Sequence, residues 1–248
     1  VILNIAAYLF TPIDDPDALA AQLRERAEAG ALRGTVLVAP EGINLFLAGT
    51  PGAVDAFVEA LRTDPRFAAI EVKRSRSAAP PFARLKVKRK HEIIAFRREA
   101  GPARGRAPSL APERLARWLE AGRDDDGRRV VLLDTRNREE VAHGTFAGAL
   151  TLPIDNFVDL PAAMEAQRAS LADATVVSFC TGGIRCEKAA LWMQANGFER
   201  VWQLDGGILG YFERVGGHGY DGACLVFDER VALDPTLRPV HDDARSGD

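Results

Sequence analysis

Val176-Val177-Ser178-Phe179-Cys180-Thr181-Gly182-Gly183-Ile184-Arg185 runs from a short apolar strand, through a cysteine and a glycine turn, into a helical pattern. A brief, nearly continuous apolar run predicts a strand buried on both faces, as in a parallel sheet. Ligands of open parallel sheets bind at the carboxyl ends of the strands, so Cys180 stands where chemistry is done. Gly182 and Gly183 allow conformations that turn successive N–H groups inward, and the helix that follows adds its positive end. Such a loop favours an anion. A free thiol has a pKa of about 8.5, which helix N-termini and cations lower, so Cys180 is the candidate nucleophile. Arg185 brings a planar, permanent charge that either closes the loop or faces the bound group. Thr181 and Ile184 complete the active-site loop. Cys186 feels the same helix end, but the inward N–H groups converge on the residue that opens the loop, leaving Cys186 at most the part of a resolving thiol. The bland alternative is a buried cysteine and a solvated arginine; the coincidence of strand, glycines, arginine and helix argues against it.

Outward from this stretch, strands are expected at 130–133, 149–152, 175–179 and 201–204. Helices are expected around 113–119, 138–142, 161–168 and 186–196. The alternation predicts a parallel sheet covered on both faces. Asp134 and Arg136 follow a strand end, where they orient the cysteine loop by hydrogen bonds rather than act as acid or base. The first third of the chain reads differently: a strand at 2–10, a helix opened by Asp14 or Asp15 and stopped by Gly30, strands at 35–39 and 44–48, a helix capped by Thr50, and a strand at 69–75. In the second helix Val54, Phe57, Val58 and Leu61 share one face. The order βαββαβ predicts a ferredoxin-like (acylphosphatase-like) α+β domain with both helices on one face of the sheet. Five of the fourteen prolines fall between residues 75 and 112, so the boundary is expected there. The expected division is 1–106, then 107–217, then a C-terminal extension, 218–248.

The net charge of −3 hides an asymmetry: residues 71–106 hold twelve Lys/Arg against three Asp/Glu. A local basic patch attracts polyanions even on an acidic protein. Arg84, Lys86, Lys88, Arg89 and Lys90 are the candidate RNA-binding residues, with Lys86 and Lys88 on one face of a strand. Edge protection is the competing account of those lysines. Three sparse cysteines point to a reduced, cytoplasmic compartment. Cys180 and Cys186 are too far apart for the usual short zinc spacings, so no metal site is expected. No apolar run approaches the ~20 residues of a spanning helix.

With these residues in view, the segment from Ala107 to about Gly217 resembles a rhodanese domain: Asp134-Thr135-Arg136, Glu139-Glu140, Gly148-Ala149, the cysteine loop and Asp205-Gly206-Gly207 match its motifs, while His143-Gly144-Thr145-Phe146 departs from the usual Gly-His-Ile. Four residues between Cys and Arg resemble the persulfide-handling loops rather than those of the related phosphatases. Nearly the whole chain, through Glu41-Gly42-Ile43-Asn44, Leu85-Lys86-Val87-Lys88, the cysteine loop extended to Lys188, and 226–231, resembles the oxygen-dependent tRNA uridine hydroxylase family. The resemblance implies a tRNA partner, formation of 5-hydroxyuridine at the wobble position, and molecular oxygen as co-substrate. No flavin, haem or non-haem iron fingerprint is recognised, and the electron donor is left open. Two rival readings remain at this point: a persulfide sulfurtransferase passing sulfur from Cys180 to a thiol or protein acceptor, and a non-catalytic RNA-binding module.

Overall fold

The computed structural model describes residues 1–98, 107–226 and 230–240. The chain divides into two compact units, Val1–Ala95 and Phe96–Asp248.

In the first unit the order is β1 (Ile2–Phe10), α1 (Pro16–Ala29), β2 (Arg33–Ala39), β3 (Gly42–Gly49), α2 (Pro51–Arg62), β4 (Lys73–Ser77) and β5 (Leu85–Arg89). Both helices start as their sequences direct. Asp15 Oδ1 accepts from Ala18 N and Thr50 Oγ1 from Ala53 N, each with proline in the first turn. The apolar faces Leu19/Leu23/Ala27 and Val54/Phe57/Val58/Leu61 cover one side of a sheet ordered β4-β1-β3-β2-β5. The strand expected at 69–75 begins instead at Lys73, because Asp64-Pro65 opens a 3-10 turn that carries Phe67 into the core. A fifth strand, β5, lies parallel to β2 and extends the predicted four-stranded pattern by one edge.

The second unit continues with β6 (Ser109–Leu110), α3 (Pro112–Ala121), β7 (Val130–Asp134), α4 (Arg138–His143), β8 (Gly144–Phe146), β9 (Leu150–Thr151), α5 (Leu160–Glu165) and α6 (Arg168–Leu171). It ends with β10 (Thr175–Phe179), α7 (Ile184–Ala195), β11 (Val201–Leu204), α8 (Gly207–Arg214), β12 (Tyr220–Gly222), β13 (Cys224–Leu225) and β14 (Ala232–Leu233), which pairs with β13. Strands β6-β11-β10-β7-β9 form one sheet in which every pairing is parallel. β10 is buried along its whole length, as the apolar run requires. Two boundaries differ from expectation. The helix expected over 161–168 is broken into α5 and α6, and α7 begins at Ile184, so Arg185 and Cys186 lie in its first turn. β12 pairs with β8 beside the sheet, which brings residues 220–222 against 144–146. Residues 99–106 of the expected boundary, 227–229 of the quoted 226–231 segment, and 241–248 lie outside the described residues.

Candidate active site

Pairing of β10 with β7 puts Phe179 opposite Asp134, so the two strand ends deliver Cys180 and the Asp134-Thr135-Arg136 turn side by side. Thr135 binds the strand end twice, through N and Oγ1 to the Phe179 carbonyl, at 3.0 and 2.9 Å. The loop then closes on its own sulfur. Gly183, at φ +105°, donates its N–H to Cys180 Sγ at 3.1 Å. Helix α7 has no side-chain cap at Gly183; the Cys180 sulfur takes that place, accepting from Gly183 and from the Cys186 backbone.

Cys180 is fully buried, and burial alone would push its thiol up. The hydrogen bond from the Cys186 side chain, the Arg185 charge and the two backbone N–H groups outweigh that and hold it well below the ordinary thiol range. The single Cys186 S–H also lies 2.9 Å from the Gly183 carbonyl, so both sulfurs contact the backbone of one residue, Gly183. The third thiol, Cys224, behaves oppositely: burial pushes it up to about 12.

Arg185 is anchored by Glu140 in a bidentate pair, Nη1 to Oε2 and Nη2 to Oε1, both at 2.6 Å. Glu140 is itself placed by the start of α4. Asn137 Oδ1 accepts from Glu140 N, and Glu140 Oε2 accepts from Asn137 N, a reciprocal capping box. Although burial pushes the Glu140 carboxyl up, Arg185 overcomes this and holds it below the usual carboxylate range. Thr181 Oγ1 lies 3.4 Å from both Glu140 Oε1 and the Leu225 carbonyl, tying the loop to β13.

Asp134 and Arg136 are wholly buried and face each other: Nε to Oδ1 at 2.9 Å and Nη2 to Oδ2 at 2.7 Å. Thr145 Oγ1 donates to Asp134 Oδ2 and Arg136 Nη2 to the Gly144 carbonyl, so the departure at 143–146 still feeds this cluster. Behind the loop, Ile208 N and Leu209 N donate to the carbonyls of Cys180 and Thr181 at 2.9 and 3.1 Å. Gly207 makes that approach feasible. A Cβ there would stand 2.5 Å from the Cys180 oxygen, 2.8 Å from Gly183 N and 2.9 Å from the Thr181 oxygen.

The structure thus brings Cys180, Thr181, Gly183, Arg185 and Cys186 into one buried nest, with Gly182 and Ile184 in the same loop and Asp134 and Arg136 in the adjoining turn. The partner role of Glu140 escaped the sequence reading, although Asn137-x-x-Glu140 has capping-box spacing. The steric role of Gly207 escaped it too. Arg84, Lys86, Lys88, Arg89 and Lys90 belong to the first unit, where all five are exposed along β5 and its flanks. Glu41, in the turn between β2 and β3, and Asn44, on β3, both reach the chain beyond β5: Glu41 Oε1 accepts from Ile93 N at 2.8 Å and Asn44 Nδ2 donates to the Ile93 carbonyl at 3.3 Å. They fasten the chain that leaves the basic strand.

Residues 2–93 match the family described as the UPF0176 acylphosphatase like domain, and residues 112–214 match the rhodanese-like domain. The chain is 64% identical over its whole length to the tRNA uridine(34) hydroxylase of Xanthomonas campestris pv. campestris (strain B100), covering 98% of that protein. It is 59% identical over 98% of its length to the tRNA uridine(34) hydroxylase of Xylella fastidiosa (strain 9a5c), covering 95% of it. Among solved structures, the rhodanese-like domain of Anabaena sp. Alr3790 is 25% identical, with a TM-score of 0.37 over 46% of this chain and 79% of that one. Two domains, in this order and over this full extent, make the chain a member of the tRNA uridine(34) hydroxylase family.

Proposed function

We propose that this protein hydroxylates C5 of the wobble uridine of tRNA, giving 5-hydroxyuridine, and that Cys180 carries the chemistry. The observation that supports this best is a buried sulfur stabilised as thiolate by two backbone N–H groups, Arg185 and the Cys186 thiol, on a chain whose relatives bear the hydroxylase name. We further assign dioxygen as the oxidant. Replacing C5–H by C5–OH puts one oxygen atom into the base and the other into water, and so consumes two electrons and two protons. Oxidation of two thiols to a disulfide releases that number of each. Cys186, hydrogen-bonded beside Cys180, is our candidate for the second thiol, which makes it the resolving residue. Asp134 and Arg136 act as positioning residues under the loop, and Arg84, Lys86, Lys88, Arg89 and Lys90 as phosphate contacts. A tRNA substrate puts the work in the cytoplasm; no helix among the described residues is long and apolar enough to cross a membrane.

The test is mass spectrometry of tRNA nucleosides from cells that carry only the parent protein or only Cys180→Ser. Oxygen replaces sulfur at similar size without comparable nucleophilicity, so 5-hydroxyuridine should vanish while the protein stays folded. Full 5-hydroxyuridine in the Cys180→Ser cells would refute the assignment of Cys180. Its absence from cells with the parent protein, together with persulfide transfer by the purified chain, would favour the sulfurtransferase reading.

A further inference from the structure

The sheet of the first unit has two chemically different faces. Ile5, Val36, Leu45 and Val87 point under the helices. Successive side chains alternate, so their neighbours point the other way. The strand register lines those neighbours up in rows. One row reads Lys73, Ala6, Phe46, Thr35, Lys86 across β4-β1-β3-β2-β5, and the next reads Tyr8, Asn44, Leu37, Lys88. Phe46 and Tyr8 are half-buried, and Tyr8 packs edge-to-face on Phe10 with centroids 5.9 Å apart. Tyr8 and Phe46 are diagonal neighbours on adjacent strands, about 7–8 Å apart by sheet geometry. The two rows hold three lysines and no carboxylate. At the Asn44 end the surface is closed: Asn44 is buried, and Ile93 accepts from Asn44 Nδ2 through its carbonyl and donates its N–H to the Glu41 carboxylate.

Edge protection accounts for lysines on β5, but not for aromatic rings in the middle of the sheet. A protein-facing surface would account for the rings, but not for lysines at both ends of the row that holds Phe46. Rings in a cationic frame are what unpaired nucleotides require: every base has a face to stack, and every phosphate needs a cation. We propose that this sheet face is a stacking platform for unpaired nucleotides of the RNA substrate, with Phe46 and Tyr8 under the bases and Lys73, Lys86 and Lys88 on the phosphates. This rests on the RNA-directed function proposed for the chain and adds a second point of contact, on the first unit, that needs no sequence readout.

The full-length protein is titrated with a fluorescein-labelled oligouridylate of roughly ten nucleotides, followed by anisotropy over a range of salt. Tyr8→Leu and Phe46→Leu, which keep apolar volume and remove the ring, should each weaken binding about 5- to 100-fold with the salt slope unchanged. Lys86→Gln and Lys88→Gln should instead flatten the slope, by about 0.7 for each phosphate that is no longer neutralised. Photocrosslinking of the parent protein with a 5-iodouridine oligonucleotide should label peptides that contain Tyr8 or Phe46, a result independent of how the variants fold. The platform is wrong if the parent ignores the oligonucleotide, if both leucine variants bind as the parent does, or if crosslinks fall only elsewhere. A protein that forms 5-hydroxyuridine yet fails these tests overturns the platform alone. One that passes them but leaves the wobble uridine unmodified overturns the hydroxylase reading alone.

Discussion

Replacing Gly207 by alanine separates backbone strain from loop displacement, because the same unit contains a matched control. Gly207 has φ +63° and Gly122 φ +65°, so alanine at either position meets the left-handed penalty of about 1–2 kcal/mol. At Gly122 a Cβ would meet nothing within 4 Å. At Gly207 it would stand 2.5, 2.8 and 2.9 Å from the Cys180 oxygen, Gly183 N and the Thr181 oxygen, all backbone atoms that cannot swing aside as a flexible side chain would. Relief requires the loop and α8 to separate, which lengthens the hydrogen bonds from Ile208 N and Leu209 N. Overpacking of this kind adds about 1–3 kcal/mol. At about 2–4 °C of melting temperature per kcal/mol, the transition of the second unit should fall several degrees further in Gly207→Ala than in Gly122→Ala. The same displacement pulls Gly183 N–H from the Cys180 sulfur. Formation of 5-hydroxyuridine, measured well below either melting temperature, should therefore drop at least about tenfold in Gly207→Ala, for a barrier change of about 1.4 kcal/mol, and stay near the parent's rate in Gly122→Ala. Equal melting temperatures and equal rates in the two variants would refute the claim that this close approach holds the loop.

Glu140→Ala leaves Arg185 buried without its bidentate partner and should cost about 3–5 kcal/mol by calorimetry. Because the folded Glu140 carboxyl lies below its unfolded value, the stability it contributes is present above about pH 4.3 and lost as pH falls through the folded value; Glu140→Gln should flatten the acid limb of the melting curve. Cys224 has the opposite sign, its folded value being raised to about 12, so its contribution is present below the unfolded thiol value and lost on the way up. The melting-temperature gap between parent and Cys224→Ala should accordingly shrink between about pH 8 and pH 11. Cys186→Ala should retain Cys180 as the site labelled by a persulfide donor, detected by peptide mass spectrometry; label on Cys186 in the parent would reverse the roles assigned to the two thiols.

Local signals made the second unit legible. The run 176–179 had to be buried on both faces, the glycines had to turn, and the cysteine therefore fell at a strand end whichever neighbours it acquired. The helices of the first unit were equally local, each opened by a capping side chain followed by proline. What escaped is what closes over long separations. Glu140 meets Arg185 across 45 positions, and Glu41 reaches Ile93 across 52. Neither pairing leaves a periodic trace, since a single charged or polar residue reads the same with any distant partner. The start of α7 was misjudged for a related reason: its cap is a sulfur three residues away, outside the set of side chains that mark a helix start in sequence.

The three cysteines show the same division most sharply. By residue type they are interchangeable, and all three are buried free thiols. Burial pushes Cys180 and Cys224 toward the protonated form, and it prevails at Cys224, on β13, although Arg136 and Thr181 oppose it there. At Cys180 the same desolvation is overcome because the donors converge: the N–H groups of Gly183 and Cys186 at the start of α7, the neighbouring thiol, and a guanidinium that cannot lose its proton. Glu140 holds that guanidinium in a bidentate pair, and Glu140 is held by the cap of α4. The reactivity of one sulfur is thus set by a chain of contacts running through two helix starts and two strand ends. The strand ends and the capping-box spacing of α4 were signals in the sequence, while the Glu140–Arg185 pairing and the convergence on Cys180 and not on Cys224 are properties of the folded sheet.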